Sequence, residues 1–336
     1  MPVYNGSKYL SEAIESILNQ TFRDYELLII DDASKDNSVE IINGYNENRI
    51  RLIENKKNIG QAETLNRGLN LAKGKFIARI DQDDIALNKR LEKQVYYLES
   101  HPRVGVLGCH VRTVNEDLSS AKPIRERPLT NYENHWRLLY STSIMHSSVM
   151  FHHKLFKKYG GYNSVYSPSE DYELWSRLSQ YTEIHQLTDI LALIRRHMLR
   201  SSVQRRSEQK EITQKIRGEN ISRLLINYVE PEKIMDLAQY LSGKRSGSKK
   251  WWLNISYTMM KMYSHFCYGK LMTKKEMDWI SKDLSKSLID IPIGYRLIAF
   301  KYLLGFIRTS RYNQVHLFNL ITRGFLIPLL NTVRLR

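Results

Sequence analysis

Three carboxylates stand within four positions of this 336-residue sequence, at Asp81, Asp83 and Asp84. They follow the short apolar run Phe76–Ile80, which has the character of a β-strand. Such runs usually end in Gly, Asn or Ser, and three adjacent acids repel each other unless a positive charge lies between them. Hard divalent cations such as Mg²⁺ and Mn²⁺ prefer carboxylate oxygens. The cluster therefore indicates either a metal site or an acidic turn that caps the helix predicted from about Asn88.

Two acidic pairs elsewhere in the sequence have types suited to the same chemistry. Asp31 and Asp32 end the apolar run Tyr25–Ile30, and Glu170 and Asp171 precede a helical pattern. A carboxylate beside a nucleotide can accept hydrogen bonds from the base or the ribose, and a carboxylate beside a hydroxyl can take its proton. Glu170 and Asp171 can also be the acidic first turn of an amphipathic helix, and the two roles are compatible.

The elements that would position these acids alternate between strands and helices. Apolar residues at helical spacing predict helices over residues 7–19, 38–46, 61–72 and 88–100, and apolar runs predict strands over residues 25–30, 50–53, 76–80 and 104–109. This alternation, with short connectors, predicts an α/β fold with a mostly parallel sheet flanked by helices. Ligands bind beyond the carboxyl ends of the strands in such sheets, so we expect the acids of residues 31–32 and 81–84 to share one edge.

The second part of the chain is helical and basic. Long helices are predicted over residues 210–227, 232–241, 251–268 and 274–288, with a linker at Ser242–Ser248. From Ser201 onward there are about 24 Lys and Arg against about 10 acids, so this part carries most of the net charge of +16. A basic region indicates an anionic partner, which can be nucleic acid, phospholipid or a phosphorylated substrate. No nucleic-acid motif is recognisable, so we expect no nucleic-acid partner.

No segment of the sequence reads as a membrane-spanning helix. The apolar stretches Leu297–Ile307 and Val315–Val333 are interrupted by Lys301, Arg323 and Pro328, whereas a spanning helix needs about 20 mostly apolar residues. These stretches predict amphipathic helices on an anionic membrane surface. The alternative is a helical domain that packs its apolar faces internally.

Cysteine content and the first residues bear on the compartment. Cys109 and Cys267 lack a metal-site spacing, which fits a reducing cytosol. The opening residues Met1–Tyr4 show neither a basic region nor an apolar core of a secretory signal. We expect a cytoplasmic protein, peripheral on the inner face of the cell membrane.

Six motifs follow one another in the first part of the chain: Pro-Val-Tyr-Asn-Gly, Ser-Ile-Leu-Asn-Gln-Thr, Asp-Asp-Ala-Ser, Asn-Ile-Gly, Arg-Gly-Leu and Ile-Asp-Gln-Asp-Asp. Their order and spacing resemble the family 2 inverting glycosyltransferases of GT-A fold, of the bacterial capsule, O-antigen and exopolysaccharide type. The resemblance covers about residues 1–202. It implies a GT-A domain over residues 1–202, followed by an all-α, basic C-terminal region over residues 203–336.

The resemblance implies a site for a nucleotide-diphosphate sugar, with a UDP-sugar as the expected donor. The implied donor-binding residues are Pro2, Val3, Tyr4, Asp31, Asp32, Asn58, Arg67, Arg79, Asp81 and Gln82. The implied ligands of a divalent metal, Mn²⁺ or Mg²⁺, are Asp83, Asp81 and His197. In this interpretation Asp32 binds the base or ribose and Arg79 orients the acidic loop. An arginine of the Arg195-Arg196-His197 run can grip the diphosphate.

Residues 169–175, Ser-Glu-Asp-Tyr-Glu-Leu-Trp, are similar to the family's Glu-Asp-Tyr-x-Leu-Trp segment. The resemblance implies that Asp171 is the general base, with Glu170, His146 and Gly161 on the side of the acceptor. A lone histidine is more often structural than functional, so a structural role for His146 stays open.

Two departures from the family pattern qualify this interpretation. Met1 stands directly on the Pro-Val-Tyr-Asn motif, where family members carry a full apolar strand, so we expect a first strand reduced to a stub. Either translation begins upstream or the fold is weakened at the base pocket. The Gln-x-x-Arg-Trp motif of processive synthases is absent, so we expect transfer of a single sugar to a lipid-linked saccharide. The alternative is a non-catalytic scaffold in a membrane-bound assembly complex.

Overall fold

The computed structural model of the protein describes residues 1–119, 129–288, 290–292 and 295. The strands within this part of the chain are β1 (Pro2–Val3), β2 (Leu27–Asp31), β3 (Ile50–Glu54), β4 (Phe76–Ala78), β5 (Ile85–Ala86), β6 (Val104–Val114), β7 (Met150–His152) and β8 (Glu183–Arg195). The helices are α1 (Leu10–Leu18), α2 (Ser38–Asn43), α3 (Gln61–Leu71), α4 (Arg90–Ser100), α5 (Asn131–Leu138), α6 (His153–Tyr159), α7 (Glu170–Leu178), α8 (Ser201–Gln204), α9 (Arg206–Leu225), α10 (Pro231–Leu241), α11 (Lys249–Cys267) and α12 (Lys274–Leu288).

The first sheet is parallel and contains β1, β2 and β3 in that order. Helix α1 covers it because Leu10, Ala13, Ile14 and Ile17 recur at helical spacing and are all buried. The ladder between β2 and β3 runs from Leu27 opposite Ile50 to Asp31 opposite Glu54. The prediction of a parallel sheet flanked by helices is confirmed for this part of the chain.

The second sheet is mixed, with the order β4, β7, β6, β8, β5. Within it only β6 and β8 are parallel. Strand β1 pairs with β2 over only Pro2 and Val3, and no described ladder joins it to β4. Strand β4 pairs antiparallel with β7 instead, with Phe76 opposite His152.

The first strand is a stub, as the sequence predicts. The Met1 ammonium donates a hydrogen bond to the Leu28 carbonyl over 2.9 Å, and burial lowers the pKa of this ammonium to about 5. A cavity of about 730 Å³ lies beside it, lined by residues of β2, β4, α3 and α4 and by Arg79 and Tyr162.

Contacts between residues divide the chain into two compact units. The first contains Met1–Asn134 and Thr142–Ile212, and the second contains His135–Ser141 and Thr213–Arg336. The four long helices predicted from about residue 210 are confirmed as α9 to α12. The domain boundary at residue 202 stays a prediction.

Among the residues that the structure describes, no helix is both long enough and apolar enough to cross a bilayer. The two predicted amphipathic segments, 297–307 and 315–333, lie outside the described residues.

Candidate active site

The acidic turn that follows β4 gathers three carboxylates in one place. One oxygen each of Asp81, Asp83 and Asp84 can be chosen so that all three lie within 4.8 Å of one another. Asp84 is fully buried; its Oδ1 accepts from the Arg195 N–H at 2.9 Å, whereas its Oδ2 has no hydrogen-bond partner. Burial and the neighbouring charge of Asp83 raise the pKa of Asp84 to about 7. An unsatisfied carboxylate oxygen among like charges is the donor set that a hard divalent cation fits.

Asp81 is paired with Arg79, which is only 3% exposed. Both Asp81 oxygens accept from the Arg79 guanidinium, and Oδ2 also accepts from the Ser147 hydroxyl at 2.8 Å. Burial alone would raise the pKa of Asp81, but the charge and hydrogen bonds of Arg79 outweigh it and hold this pKa well below its usual range. Asp81 is therefore a fixed anion.

His197 follows β8 and reaches the same turn. Its Nε2 lies 2.7 Å from Asp83 Oδ2, its ring packs on Tyr9 with the centroids 4.8 Å apart, and its buried Nδ1 has no hydrogen-bond partner. Of the three metal ligands implied by the resemblance, Asp81 and Asp83 lie in the carboxylate cluster, and His197 contacts that cluster through Asp83.

Arg195, two residues before His197, anchors the acidic turn from behind. Its side chain is 1% exposed; it donates from Nε to the Asp83 carbonyl at 3.1 Å and from Nη2 to Glu12 of α1 at 2.8 Å. These bonds engage its guanidinium within the protein, so Arg195 does not have the free fork that binding a diphosphate would require. Arg196 is exposed.

The loop after β1 is joined to the acidic turn by one amide side chain. Gln82 accepts from the Tyr4 N–H at 2.8 Å and donates to the Tyr4 carbonyl at 3.1 Å. Asn5 in turn accepts from the Lys35 N–H at 2.8 Å. Pro2 and Val3 pair with β2, and the Tyr4 side chain is 43% exposed. Gln82 and the first loop therefore form one surface at the edge of the site.

Asp31 and Asp32 are adjacent in the sequence but accept hydrogen bonds from different parts of the chain. Asp31 accepts from the Ser34 N–H at 2.9 Å and so closes its own turn. Asp32 accepts from Asn55 Nδ2 at 2.7 Å and from the N–H groups of Ile59 and Gly60, each at 2.9 Å. A carboxylate offers about four acceptor positions, so these bonds occupy three of those of Asp32, which is 3% exposed.

The loop that Asp32 holds contains the remaining residues implied on the donor side. Asn58 is exposed in it. Arg67 on α3 donates to the Glu54 carbonyl at 2.9 Å. Both residues border the end of the first sheet.

The residues expected on the acceptor side meet around Tyr162. Its hydroxyl lies 2.8 Å from His146 Nε2, and burial raises its pKa, an effect opposed by Arg79 and increased by Asp171, Glu170 and Asp81. Burial, together with the Arg79 charge, places the pKa of His146 well below its ordinary value. The imidazole is therefore neutral and hydrogen-bonded.

Glu170 and Asp171 open α7. Glu170 is 4% exposed, and its Oε2 has no hydrogen-bond partner. Burial and then the Asp171 charge raise the pKa of Glu170 to about 7. Burial also raises the pKa of Asp171, although the hydrogen bond that its carboxylate accepts from the Tyr172 N–H opposes this. A carboxylate with a raised pKa is a stronger base than one in water.

Gly161 lies in the turn that leads to Tyr162. A Cβ at Gly161 would come within 2.2 Å of Asn66 Oδ1 and 2.5 Å of the Phe156 ring. The Asn66 side chain accepts from the Tyr162 N–H and donates to its carbonyl, each over 2.8 Å. The glycine thus allows α3 to hold this turn closely.

Three of the residues that organise the site, Asn55, Ser147 and Tyr162, received no role from the sequence. The role considered for Arg195, gripping the diphosphate, differs from the one that its contacts show. Ser147, Tyr162 and Arg195 each adjoin or lie two positions from a residue that motif reasoning selected. The hydrogen-bond partners of Ser147, Tyr162 and Arg195 are more than 60 positions away in the chain. No local sequence pattern reveals such contacts.

The fold and this site together define a class. Solved structures of S. aureus TarS residues 1–349, among them one in complex with UDP, align with a TM-score of 0.55, 16% identity and 90% coverage of each chain. This likeness shows the fold, which is the GT-A glycosyltransferase fold.

Sequence comparisons identify the family. The model of "Glycosyl transferase family 2" matches residues 1–160. An uncharacterized glycosyltransferase of Haemophilus influenzae is 32% identical over 234 residues, which is 65% of this chain and 71% of the relative. The chain therefore belongs to glycosyl transferase family 2.

Two further relatives carry more specific names. The putative glycosyltransferase EpsE of Bacillus subtilis is 36% identical over 53% of this chain and 64% of its own length. The O-antigen biosynthesis glycosyltransferase WbnJ of Escherichia coli is 34% identical over 53% and 69%, respectively. The alignment thus leaves about a third of each of these two relatives unmatched.

Proposed function

We propose that this glycosyltransferase moves a single sugar from a nucleotide-diphosphate donor to a hydroxyl of a saccharide, with inversion at the anomeric carbon, in cell-surface polysaccharide synthesis. The observation that carries the proposal is the acidic turn at Asp81–Asp84 together with buried Glu170 and half-buried Asp171, close enough for the Asp81 charge to raise the pKa of Asp171. The names of the EpsE and WbnJ relatives support the pathway.

Asp81, Asp83 and His197 would hold a divalent metal, with Asp84 as a further carboxylate. When bound, Mn²⁺ or Mg²⁺ stabilises the negative charge of the leaving diphosphate. Arg79 keeps Asp81 ionised, and Arg195 holds the backbone of the turn. The chain's own residues thus supply a preformed anionic cradle.

The donor's nucleoside would lie along the first loop. Tyr4 offers an exposed ring, and a base or ribose donor would bind the acceptor position of Asp32 that its three hydrogen bonds leave. UDP in the TarS structure supports a UDP-sugar as the donor. Sheets of this architecture bind their ligands at this edge.

Asp171 would act as the general base. The acceptor hydroxyl oxygen forms a bond to the anomeric carbon, the bond from that carbon to the diphosphate oxygen breaks, and the hydroxyl proton passes to Asp171. A single displacement inverts the carbon. Burial raises the pKa of Asp171 and therefore its basicity, and fixed placement of donor and acceptor supplies much of the remaining rate.

Turnover tests these roles. Purified protein with Mn²⁺, a panel of nucleotide sugars and membrane extract should release nucleoside diphosphate. Asp83→Ala should lower the release of nucleoside diphosphate at least about 100-fold. Asp171→Asn should still bind the donor but should lower transfer at least about 100-fold. Asp117→Ala, in an exposed loop, is the control. Normal turnover in both site variants would refute the assignment.

A non-catalytic scaffold is the second candidate. It is favoured by the Asp32 carboxylate, which already accepts three hydrogen bonds from the segment that follows β3. Calorimetry with UDP and Mn²⁺ separates the two, because a scaffold without a donor site would show no binding heat while remaining folded.

We also propose that the second unit contacts an anionic membrane surface, where a lipid-linked acceptor would be presented. At one end of this unit Tyr228 packs on His265 with ring centroids 4.0 Å apart. Ile226, Tyr228, Tyr268 and Leu271 are 74%, 56%, 70% and 92% exposed there. Exposed Lys274 and Lys275 follow shortly in the chain. Tyrosine, leucine and lysine together suit a membrane interface.

Vesicle sedimentation tests the membrane proposal. The protein should pellet with anionic vesicles, less so at high salt, and not with neutral ones. The pair Tyr268→Ser and Leu271→Asp should reduce the pelleted fraction at least about twofold, because it removes exposed apolar area. Tyr181→Ser, an exposed tyrosine of the first unit, should not. Equal pelleting of both variants would contradict this surface, and retention on DNA instead of vesicles would contradict the choice of partner.

A further inference from the structure

Ser147 is a buried hydroxyl that touches the acidic turn from a distant part of the chain. It lies in the short 3₁₀ helix His146–Ser148, just before β7, and is 2% exposed. We propose that Ser147 is a positioning residue that fixes the Asp81 carboxylate for metal binding. This inference rests on the proposed metal-dependent function.

Every hydrogen-bonding position of the Ser147 hydroxyl is used. Its oxygen accepts from Arg79 Nη1 at 2.9 Å and from the Asp81 N–H at 3.1 Å. Its hydrogen is donated to Asp81 Oδ2 at 2.8 Å. A hydroxyl has one hydrogen and two lone pairs, so these three bonds determine its direction completely.

The three groups that the Ser147 hydroxyl contacts belong to two residues of the candidate site, Arg79 and Asp81. Ser147 holds the backbone and the side chain of Asp81 at once, and it also holds the arginine that pairs with the same carboxylate. The Asp81 side chain is 25% accessible, so one side of it faces the site while the other is held. Without the hydroxyl, Asp81 Oδ2 would be held by the Arg79 guanidinium alone.

The same short helix also faces the acceptor side. His146 precedes Ser147 and bonds to the Tyr162 hydroxyl, and the Val149 carbonyl after the helix accepts from the Arg79 N–H at 2.9 Å. Ser147 thus connects this short helix to the acidic turn by hydrogen bonds. Partners that orient metal-binding side chains in this way typically contribute about 10–100-fold to metal affinity.

Ser148 is a matched control in the same helix. It is fully buried like Ser147, but its hydroxyl donates to the local Met145 carbonyl at 2.7 Å. Ser148→Ala and Ser147→Ala therefore remove the same atom from neighbouring buried positions, and only one of them removes a bond to Asp81.

Mn²⁺ binding to the nucleotide-free protein, followed by electron paramagnetic resonance of the free ion, tests the proposal. Ser147→Ala should weaken Mn²⁺ binding at least about 10-fold, and Ser148→Ala should change it less than about twofold. In an Asp81→Ala background, Ser147→Ala should have a smaller effect than in the wild type, because its bonds to Asp81 are gone while its bond to Arg79 remains. The thermal midpoint of each variant verifies that it is folded.

The possible results separate this inference from the proposed function. If the wild-type protein binds Mn²⁺ and folded Ser147→Ala binds it equally well, the inference fails and the metal site stands. The inference would be overturned if Ser147→Ala and Ser148→Ala weakened Mn²⁺ binding equally. It would also be overturned if Ser147→Ala weakened Mn²⁺ binding as much in the Asp81→Ala background as in the wild type. Either result would show a merely structural effect. If the wild-type protein binds no Mn²⁺, both fail.

Discussion

Asp81 and Asp84 are the same residue type three positions apart, yet their pKa values shift in opposite directions. For both of them burial favours the neutral acid. Arg79 reverses this for Asp81, whereas Asp83 adds to it for Asp84. The surroundings of each carboxylate, rather than its type, decide which one is a fixed anion and which one needs a cation.

Glu170 gives a pH dependence of stability that can be measured without metal. Its pKa is about 7 in the folded protein against a reference value of 4.5. Between these values the unfolded chain loses this proton while the folded protein keeps it, so the free energy of unfolding falls as pH rises from about 4.5 to about 7. Glu170→Gln should remove this loss and be the more stable protein at pH 8, by on the order of 3 kcal/mol.

Urea midpoints of wild type and Glu170→Gln, measured in EDTA from pH 5 to 8, check this expectation. Glu40→Gln on α2, which is exposed, serves as the control and should follow the wild-type curve. Parallel curves for wild type and Glu170→Gln would show that the buried carboxyl does not hold its proton.

At the scale of elements, the acidic turn is held by strands and helices that lie far apart in the sequence. Strand β8 ends in Arg195, which bonds to the Asp83 carbonyl and to Glu12 of α1. The Arg79 N–H and the Val149 carbonyl join the end of β4 to the start of β7. The turn is therefore positioned by tertiary contacts from both sides.

Replacing Arg195 tests this anchoring. Arg195→Leu should lower the free energy of unfolding by about 2–3 kcal/mol, because it removes several hydrogen bonds from a buried guanidinium and leaves carbonyls unpaired. Denaturant unfolding measures the loss. Arg196→Leu, at the exposed neighbouring position, should stay within about 0.5 kcal/mol of wild type, and equal effects of the two would contradict an anchoring role.

The contact between α3 and the turn at Gly161 makes a second prediction at this scale. Gly161→Ala should destabilise the protein by about 1–3 kcal/mol, because the new Cβ would overlap Asn66 Oδ1 and the Phe156 ring. Thermal unfolding measures this. Gly44→Ala is the control, since its Cβ would come no closer than 3.4 Å to any atom. A Gly161→Ala protein as stable as Gly44→Ala would show that the turn can move away.

At the scale of the whole molecule, the two compact units are interleaved along the chain. Residues His135–Ser141 come from the first part of the sequence but belong to the second unit. Trp136 is 1% exposed; it donates to Asp283 over 3.1 Å, and its ring lies 5.3 Å from that of Phe266. The core of the helical unit therefore includes a tryptophan that precedes it by many residues.

A fragment of residues 203–336 tests this interleaving. Without Trp136 it loses a buried aromatic contribution of about 3–5 kcal/mol, which is a large share of a domain's stability. We expect the fragment alone to bind the dye ANS strongly. A peptide of residues 131–141 added in trans should reduce this binding, and a scrambled peptide should not. Cooperative unfolding of the fragment by itself would contradict the expectation.

The sequence by itself determined the parts that depend on local pattern. Apolar residues at helical spacing predicted α1, α3 and α9 to α12, because one face of each helix must be buried. The strand–helix alternation predicted the α/β class. The order of short motifs resembled the correct family, and it drew attention to Asp81 and Asp83, which lie in one carboxylate cluster, and to His197, which contacts Asp83.

Only the tertiary structure decided how the acids differ and which residues hold them. Hydrogen bonds between β4 and β7 placed the acidic turn in a mixed sheet, and burial together with Arg79 set the ionisation of Asp81. Ser147 and Arg195 entered the site through partners 66 and 112 positions away. Local sequence cannot show such contacts, because burial and long-range pairing arise only when distant segments pack against each other.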